Sequence, residues 1–333
     1  MSSRRWNGPD HANFPGASFH YNALQVHHLH CVRHWERNLD LKRFLRGRLI
    51  QTVAKINLDE MMLGHQQRRA AHGSRIVQVV AMHETLPVEA ERLRRQLEWV
   101  DKRFTLISPE TLFGVWDRTR AVPKWTKPAV LFTFDDGRES NYTVAAPMLE
   151  SMGTRGLFFV VPQFIGLTAR DARNFYYSNI DIRGSVPSES AEQWTPMNPD
   201  QLADLVRRGH SVGNHTLSHA NLSGLSTSSL RDEIEGGSEK IASWTKKPVE
   251  AFAWPYSWAA ITRQSWDVIR ATHRFCFSPC PGITDCSLDS PHLIWRTEIE
   301  AYYSNAEYRF MYSGLINPVW ARRRRRLRAT LKR

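Results

Sequence analysis

From Ile76 onward the chain alternates between two periodicities. Short apolar runs read as buried strands: Val77-Gln78-Val79-Val80-Ala81-Met82, Val130-Leu131-Phe132-Thr133-Phe134, Leu157-Phe158-Phe159-Val160-Val161, His210-Ser211-Val212-Gly213, Ala251-Phe252-Ala253-Trp254 and Phe275-Cys276-Phe277. Between them lie segments with apolar residues at helical spacing. The first opens at Pro87 and carries Leu93, Leu97 and Val100; a shorter one has Ser108 as cap and Pro109 at its first position. Further helices are expected from Val144 to Met152, after Asn198-Pro199-Asp200, along Leu230, Ile234, Ile241 and Trp244, and around Trp266 to Ala271. Repeated strand–helix units require a parallel sheet or barrel, an α/β fold whose chemistry lies at the carboxyl ends of the strands.

Composition sets the scale of that fold. With 333 residues and 41% apolar content the chain can bury one large α/β domain plus an appendage. Three segments are expected: a helical, His- and Arg-rich extension over residues 1–73, the α/β domain over 74–316, and a basic tail over 317–333. In the extension His27, His28, His30 and His34 read as a solvated helix face. No apolar stretch reaches the length of a membrane span, and no secretory signal is seen at the N-terminus, so a cytoplasmic location is expected. Reduced thiols are the reading for Cys276, Cys280 and Cys286; a structural zinc would need a fourth ligand that the sequence does not offer. The net charge of +12 is densest in Arg322-Arg323-Arg324-Arg325-Arg326. Flanked by Trp320 and Leu327, this run points to an anionic membrane surface rather than to nucleic acid, for which no base-reading module is present.

Three clusters sit at expected strand ends. The first is Asp135-Asp136-Gly137. Two adjacent carboxylates share one cavity only where the strand is ending, and they need a metal ion or a basic side chain nearby, since like charges in one site otherwise push one pKa up. The second is His215-Thr216-Leu217-Ser218-His219, two imidazoles that converge on one ion if the segment turns helically. With Asp136 they give two nitrogens and one oxygen, a ligand set with an open position for a water whose pKa the ion lowers toward ~7. The third is Trp254-Pro255-Tyr256-Ser257, where a proline-fixed turn frees backbone N–H groups to face a carbonyl oxygen.

Together the three clusters resemble the motifs of the NodB-homology polysaccharide deacetylases, carbohydrate esterase family four, over roughly Ile76 to Glu300. The resemblance implies a distorted (β/α) barrel of the NodB-homology type, with Asp135 as general base, Asp136, His215 and His219 as metal ligands, and the Tyr256 amide as oxyanion donor. Trp254 and Pro255 are assigned to substrate binding. The cofactor implied is a divalent metal, Zn2+ first and Co2+ or Ni2+ next. The reaction implied is hydrolysis of N-acetyl groups, or O-acetyl groups, on a polysaccharide or oligosaccharide.

The chain departs from the family pattern in two places. An arginine often opens the third motif where this chain has Ala253, so the charge partner of the general base is missing or comes from elsewhere; Ser257 replaces a glycine. The late apolar strand ending in histidine, which supplies the general acid, has no match after Phe277, and His292 precedes its apolar run. Val79-Val80-Ala81-Met82-His83 has that pattern at the other end of the chain. First and last strands of a closed barrel can be neighbours, and the secreted deacetylases acting on poly-N-acetylglucosamine in biofilms are permuted in this way. The resemblance therefore makes His83 the general acid. Two other readings stay open: a metal-dependent amidase for a small non-sugar amide, and an inactive saccharide-binding module. Trp194, Trp254, Trp258, Tyr176 and Tyr177 can stack on sugar rings or fill core.

Overall fold

The computed structural model describes residues 47–117, 125–181, 191–256 and 258–332. The His27 to His34 cluster and Ser257 lie outside them. Among the described residues one sheet contains β1 (Ile76–Met82), β2 (Thr105–Leu106), β3 (Ala129–Phe134), β4 (Leu157–Val160), β5 (Ser211–Asn214), β6 (Ala251–Ala253), β7 (Phe275–Ser278), β8 (Thr284–Asp285) and β9 (Ile294–Glu298). The sheet closes on itself because β1 is bonded on both sides. It runs parallel to β3 from Val77↔Ala129 to Met82↔Phe134, and parallel to β9 from Val79↔Arg296 to Ala81↔Glu298. The ring is thus β1-β3-β4-β5-β6-β7-β9 and back to β1, a parallel barrel.

The ring is complete only toward the carboxyl ends. Thr133 and Phe134 at the end of β3 pair with β4, whereas Ala129 and Val130 at its start pair with the short β2. On the far side β9 meets β1 from Val79 onward, while Ile76 and Val77 pair with the antiparallel β8. Two small strands therefore occupy the seats opened where the barrel splays.

Strand alternation sorts the core. Val77, Val79, Ala129, Leu131, Leu157, Phe159, Ala251, Ala253, Phe275, Phe277 and Ile294 form one buried cluster that fills the barrel. The next-door residues Val80, Met82, Val130, Phe132, Phe134, Phe158 and Val160 face outward into a cluster with helix side chains Leu93, Leu97, Val100, Leu202 and Ile241. Being buried on both faces, the strands read as continuous apolar runs. The helix Pro109–Trp116, capped by Ser108, whose Oγ accepts from the Thr111 N–H, sets Phe113 flat on Phe275 with ring centres 3.9 Å apart. Phe275 opens β7, so this helix plugs the amino end of the barrel.

The compact unit that begins at Ile50 takes in residues 50–73 and 317–332, which the sequence pattern sets apart at 73/74 and 316/317. Helix Leu58–Ala71 is stitched to the barrel by buried amides: Gln66 Nε2 donates to Ser313 O at 2.7 Å, and Gln78 of β1 donates to Gln66 Oε1 at 2.9 Å. The basic segment is helix Asn317–Lys332. Its Leu327 and Leu331 are buried beside Trp254, Trp266 and Trp295, Trp320 packs against the same cluster, and Arg324 donates to the Asn317 and Pro281 carbonyls. Arg322, Arg325 and Arg326 face outward. Among the described residues no helix is long and apolar enough to cross a membrane.

One inner position of β5 has no room for a side chain. A Cβ on Gly213 would lie 2.6 Å from the Phe159 ring and 3.0 Å from Ala251 O. Gly213→Ala is expected to lose ~1–3 kcal/mol of stability through overpacking, read as a lower urea midpoint; an unchanged midpoint would mean that Phe159 does not fill the barrel there.

Candidate active site

The inner-facing parity of the strands delivers the site. Counting in twos, Val77, Val79 and Ala81 lead to His83; Ala129, Leu131 and Thr133 lead to Asp135; Ser211 and Gly213 lead to His215; Ile294 leads to Arg296. Register supplies the lateral order. Met82 is opposite Phe134, and the Asp135 N–H donates to Met82 O at 2.9 Å, so His83 and Asp135 leave the barrel side by side. These residues, with Asp136, Arg138, Tyr176, His219, Tyr256 and Glu298, line a cavity of about 280 Å³.

Asp136 joins the cavity because the chain turns at once. It sits at φ 74° and is followed by Gly137 at φ 89°, whose missing Cβ would lie 2.8 Å from Ile165 Cδ1. The turn is held where the Val161 N–H donates to Asp136 O and the Met197 N–H to Gly137 O. Thr216, His219 and Tyr256 are also left-handed, so four of the six non-glycine residues with positive φ among the described residues belong to this site. Each such residue costs ~1–3 kcal/mol, which the surrounding structure must offset.

His215, His219 and Asp136 bring their ligand atoms within 4.8 Å of one another, all three buried. His215 Nδ1 donates to Ala253 O at 2.9 Å, and His219 Nδ1 donates to Asn179 O at 2.7 Å. Each ring is thereby fixed with an unprotonated Nε2 toward the cavity, lying 3.9 Å and 3.7 Å from Asp136 Oδ1. Burial keeps both imidazoles neutral, pushing His215 down to about 4 and His219 in the same direction. Two neutral nitrogens and one carboxylate oxygen aimed at a common point fit a tetrahedral or five-coordinate divalent cation.

On one side of that point, Asp135 Oδ1 accepts from Arg296 Nη1 at 2.6 Å, and Oδ2 faces His215 Nε2 at 3.8 Å and His83 Nε2 at 3.9 Å. Burial alone would raise the Asp135 pKa; the Arg296 guanidinium and the His83 imidazolium more than offset it, so Asp135 stays ionised. His83 binds Glu300 twice: its Nδ1 lies 2.6 Å from Oε1 and its N–H donates to Oε2 at 3.1 Å. Burial disfavours the imidazolium, yet Glu300 with Asp136 and Asp135 lifts His83 to about 10. Its Nε2–H therefore faces the cavity as a donor.

The third motif divides in two. The Tyr256 hydroxyl donates to the Asn179 carbonyl that also holds His219, and its ring meets the His219 ring edge-on at 4.5 Å. Trp254 lines the cavity but is 1% exposed and stacked on Trp266, and Pro255 is buried, so neither offers an open face for a sugar. Trp194 and Tyr176 are buried, Tyr177 is partly buried against them, and Trp258 lies under Arg323. Cys276, Cys280 and Cys286 are buried free thiols, with burial raising all three, and no candidate ligand cluster among the described residues contains one.

Sequence reasoning missed Arg296, Glu300 and Arg138. The charge partner left open by Ala253 comes from β9, a strand not anticipated; the signal was a single arginine two residues after Ile294 on the inner parity of Leu293-Ile294-Trp295-Arg296. Glu300 follows the same strand, its side chain directed at the histidine from the other terminus.

Residues 123–273 match the family model described as polysaccharide deacetylase. A curated relative, the peptidoglycan-N-acetylglucosamine deacetylase of Bacillus cereus, is 24% identical over 120 residues, 36% of this chain and 43% of that protein. The matched stretch spans less than half the length of the curated relatives. Among solved structures, IcaB from Ammonifex degensii is 18% identical with a TM-score of 0.55, covering 72% of this chain and 97% of its own. The BpsB deacetylase domain from Bordetella bronchiseptica is 19% identical with a TM-score of 0.54, covering 68% of this chain and 96% of its own. At those identities the structural likeness speaks to the barrel fold alone, while the stretch 123–273, which holds Asp135, Asp136, His215, His219 and Tyr256, is similar to the polysaccharide deacetylase family.

Proposed function

We propose that this protein hydrolyses N-acetyl groups on a polysaccharide or oligosaccharide, with a divalent cation, zinc first, held by Asp136, His215 and His219. The observation that carries the reading is the convergence of two Nε2 lone pairs and Asp136 Oδ1 on one point, with the ionised Asp135 and the protonated His83 beside it. A cation there supplies Lewis acidity for the acetyl carbonyl and acidifies a water. Asp135 takes the proton of the attacking water, and Arg296 keeps that carboxylate ionised and aimed. The Tyr256 N–H, on its left-handed turn, is the donor for the developing oxyanion. His83 gives its Nε2 proton to the leaving nitrogen, and Glu300 stabilises the imidazolium until then.

An amine leaves poorly unless protonated, so the His83–Glu300 pair favours an amide over an ester as the bond broken. Similarity to a peptidoglycan-N-acetylglucosamine deacetylase supports an acetylated saccharide as the substrate class. Arg296 restores the charge that Ala253 omits, which supports turnover over an inactive binding module. For location, the outward arginines of helix Asn317–Lys332 suit an anionic membrane surface by charge alone, since Trp320 and Leu327 are used in packing.

Three measurements test these assignments. His215→Ala and His219→Ala should each lose tight zinc binding and acetate release from N-acetylglucosamine oligomers. Asp135→Asn should keep the metal while turnover falls by ~10²-fold or more; metal loss in Asp135→Asn would show the two acids in reversed roles. Glu300→Gln removes the partner that raises His83, so the imidazolium deprotonates sooner. The alkaline limb of kcat/KM should then move down by ~1–3 pH units, and an unmoved limb would take the acid role from His83. Replacing Arg322, Arg325 and Arg326 together with Gln should release the protein from phosphatidylserine vesicles at low salt and leave oligomer turnover unchanged; undiminished vesicle binding would exclude this helix face.

A further inference from the structure

We propose that Arg138 determines how Asp136 meets the cation: it claims one carboxylate oxygen and leaves only the other for coordination. This rests on the cation centre of the preceding section, and concerns a residue outside the three motifs read from the sequence. Arg138 Nη2 donates to Asp136 Oδ2 at 3.1 Å. Oδ1, on the opposite edge of the same carboxylate, is the oxygen that faces the Nε2 atoms of His219 and His215.

The guanidinium is not a passing surface partner. Arg138 is 3% exposed, its Nη1 donates to Glu84 Oε1 at 2.7 Å, and Nη2 also donates to the Tyr176 hydroxyl at 3.0 Å. Its backbone is pinned as well, bridged to Pro196 and accepting the Asn141 N–H at 3.1 Å. A side chain tied at both terminal nitrogens and along its backbone cannot swing off Asp136 when a cation arrives. The planar fork of arginine suits this role, because one Nη serves Asp136 and Tyr176 while the other serves Glu84.

Two consequences follow from chemistry. A carboxylate confined to one oxygen leaves the cation more free positions than a chelating one, and those positions are what water and an acetyl carbonyl need. A fixed positive charge on the ligand also withdraws electron density and repels the ion, so the centre is bound less tightly and keeps more Lewis acidity. Arg138 is therefore a positioning residue that exchanges metal affinity for an open coordination sphere, with Glu84 moderating the exchange by neutralising part of its charge.

The test uses the full-length apoprotein titrated with Co2+, following the dissociation constant and the visible absorption spectrum, with thermal unfolding as the check on folding. Arg138→Gln should bind Co2+ tighter by about tenfold or more, and its visible bands should weaken in intensity as the second carboxylate oxygen raises the coordination number. Arg138→Lys, which keeps the charge and one donor, should return both readouts toward wild type. Glu84→Gln leaves the arginine charge unmoderated, so Co2+ should bind several-fold more weakly with the wild-type band shape; this variant carries the test if Arg138→Gln does not fold. Wild-type binding of Co2+ together with an unchanged constant and spectrum in Arg138→Gln would overturn the inference alone. Failure of the wild-type protein to bind Co2+ would overturn the cation centre and this inference with it.

Discussion

The pairing of β1 with strands on both of its edges is the constraint on which the rest of the molecule depends. All of its residues from Ile76 to Met82 are buried, and its hydrogen bonds to β3 and β9 turn an open parallel sheet into a ring. An open sheet would leave β3 and β9 as edges with unpaired backbone groups, and the inner faces of Leu131 and Ile294 exposed to water. Closure also brings three parts of the chain into one register at the barrel mouth. His83 comes from the end of β1, Asp135 from β3, and Arg296 with Glu300 from β9 and the turn beyond it.

The mouth is a balanced arrangement of charge, buried more deeply than isolated ions could tolerate. Asp135 is matched by Arg296, Asp136 by Arg138, and Glu300 by His83. Each pair is joined by a direct hydrogen bond, so the cost of desolvating the ions is offset by fixed partners rather than by water. The arrangement separates roles among chemically similar groups. Both aspartates remain ionised, His215 and His219 remain neutral, and His83 is charged, because each has a different immediate neighbour.

How much of this is legible in the sequence follows from how local each signal is. The two acids, the paired histidines and the proline-fixed turn lie in contiguous runs at strand ends, so their spacing alone exposes them. His83 is legible because the set lacked an acid and the strand pattern appeared at the other terminus. Arg296 and Glu300 carry no local signature: their meaning comes from lying across a barrel from residues more than one hundred and fifty positions away. The helical tail was obscured by composition. Its run of arginines, flanked by Trp320 and Leu327, reads as a basic tail for an anionic membrane surface, yet Leu327 and Leu331, four residues apart on one helix face, are what the barrel sees. Strand ends and caps such as Ser108 and Asn198 are written in neighbouring residues, whereas the short strands β2 and β8 exist only because the barrel splays.

Because the ring is sealed between the earliest and the latest of its strands, the order of synthesis matters to how the protein matures. β1 can pair with β3 soon after both are made, but its second edge waits for Ile294–Glu298, more than two hundred residues later. Closing so long a loop is entropically slow, and until it happens a nascent chain holds an uncovered strand edge and an aspartate without its arginine. Asp135 consequently gains its fixed partner at the last topological step of folding, and a chain cut short before β9 would carry all three motifs without the counter-charge that fixes the first of them.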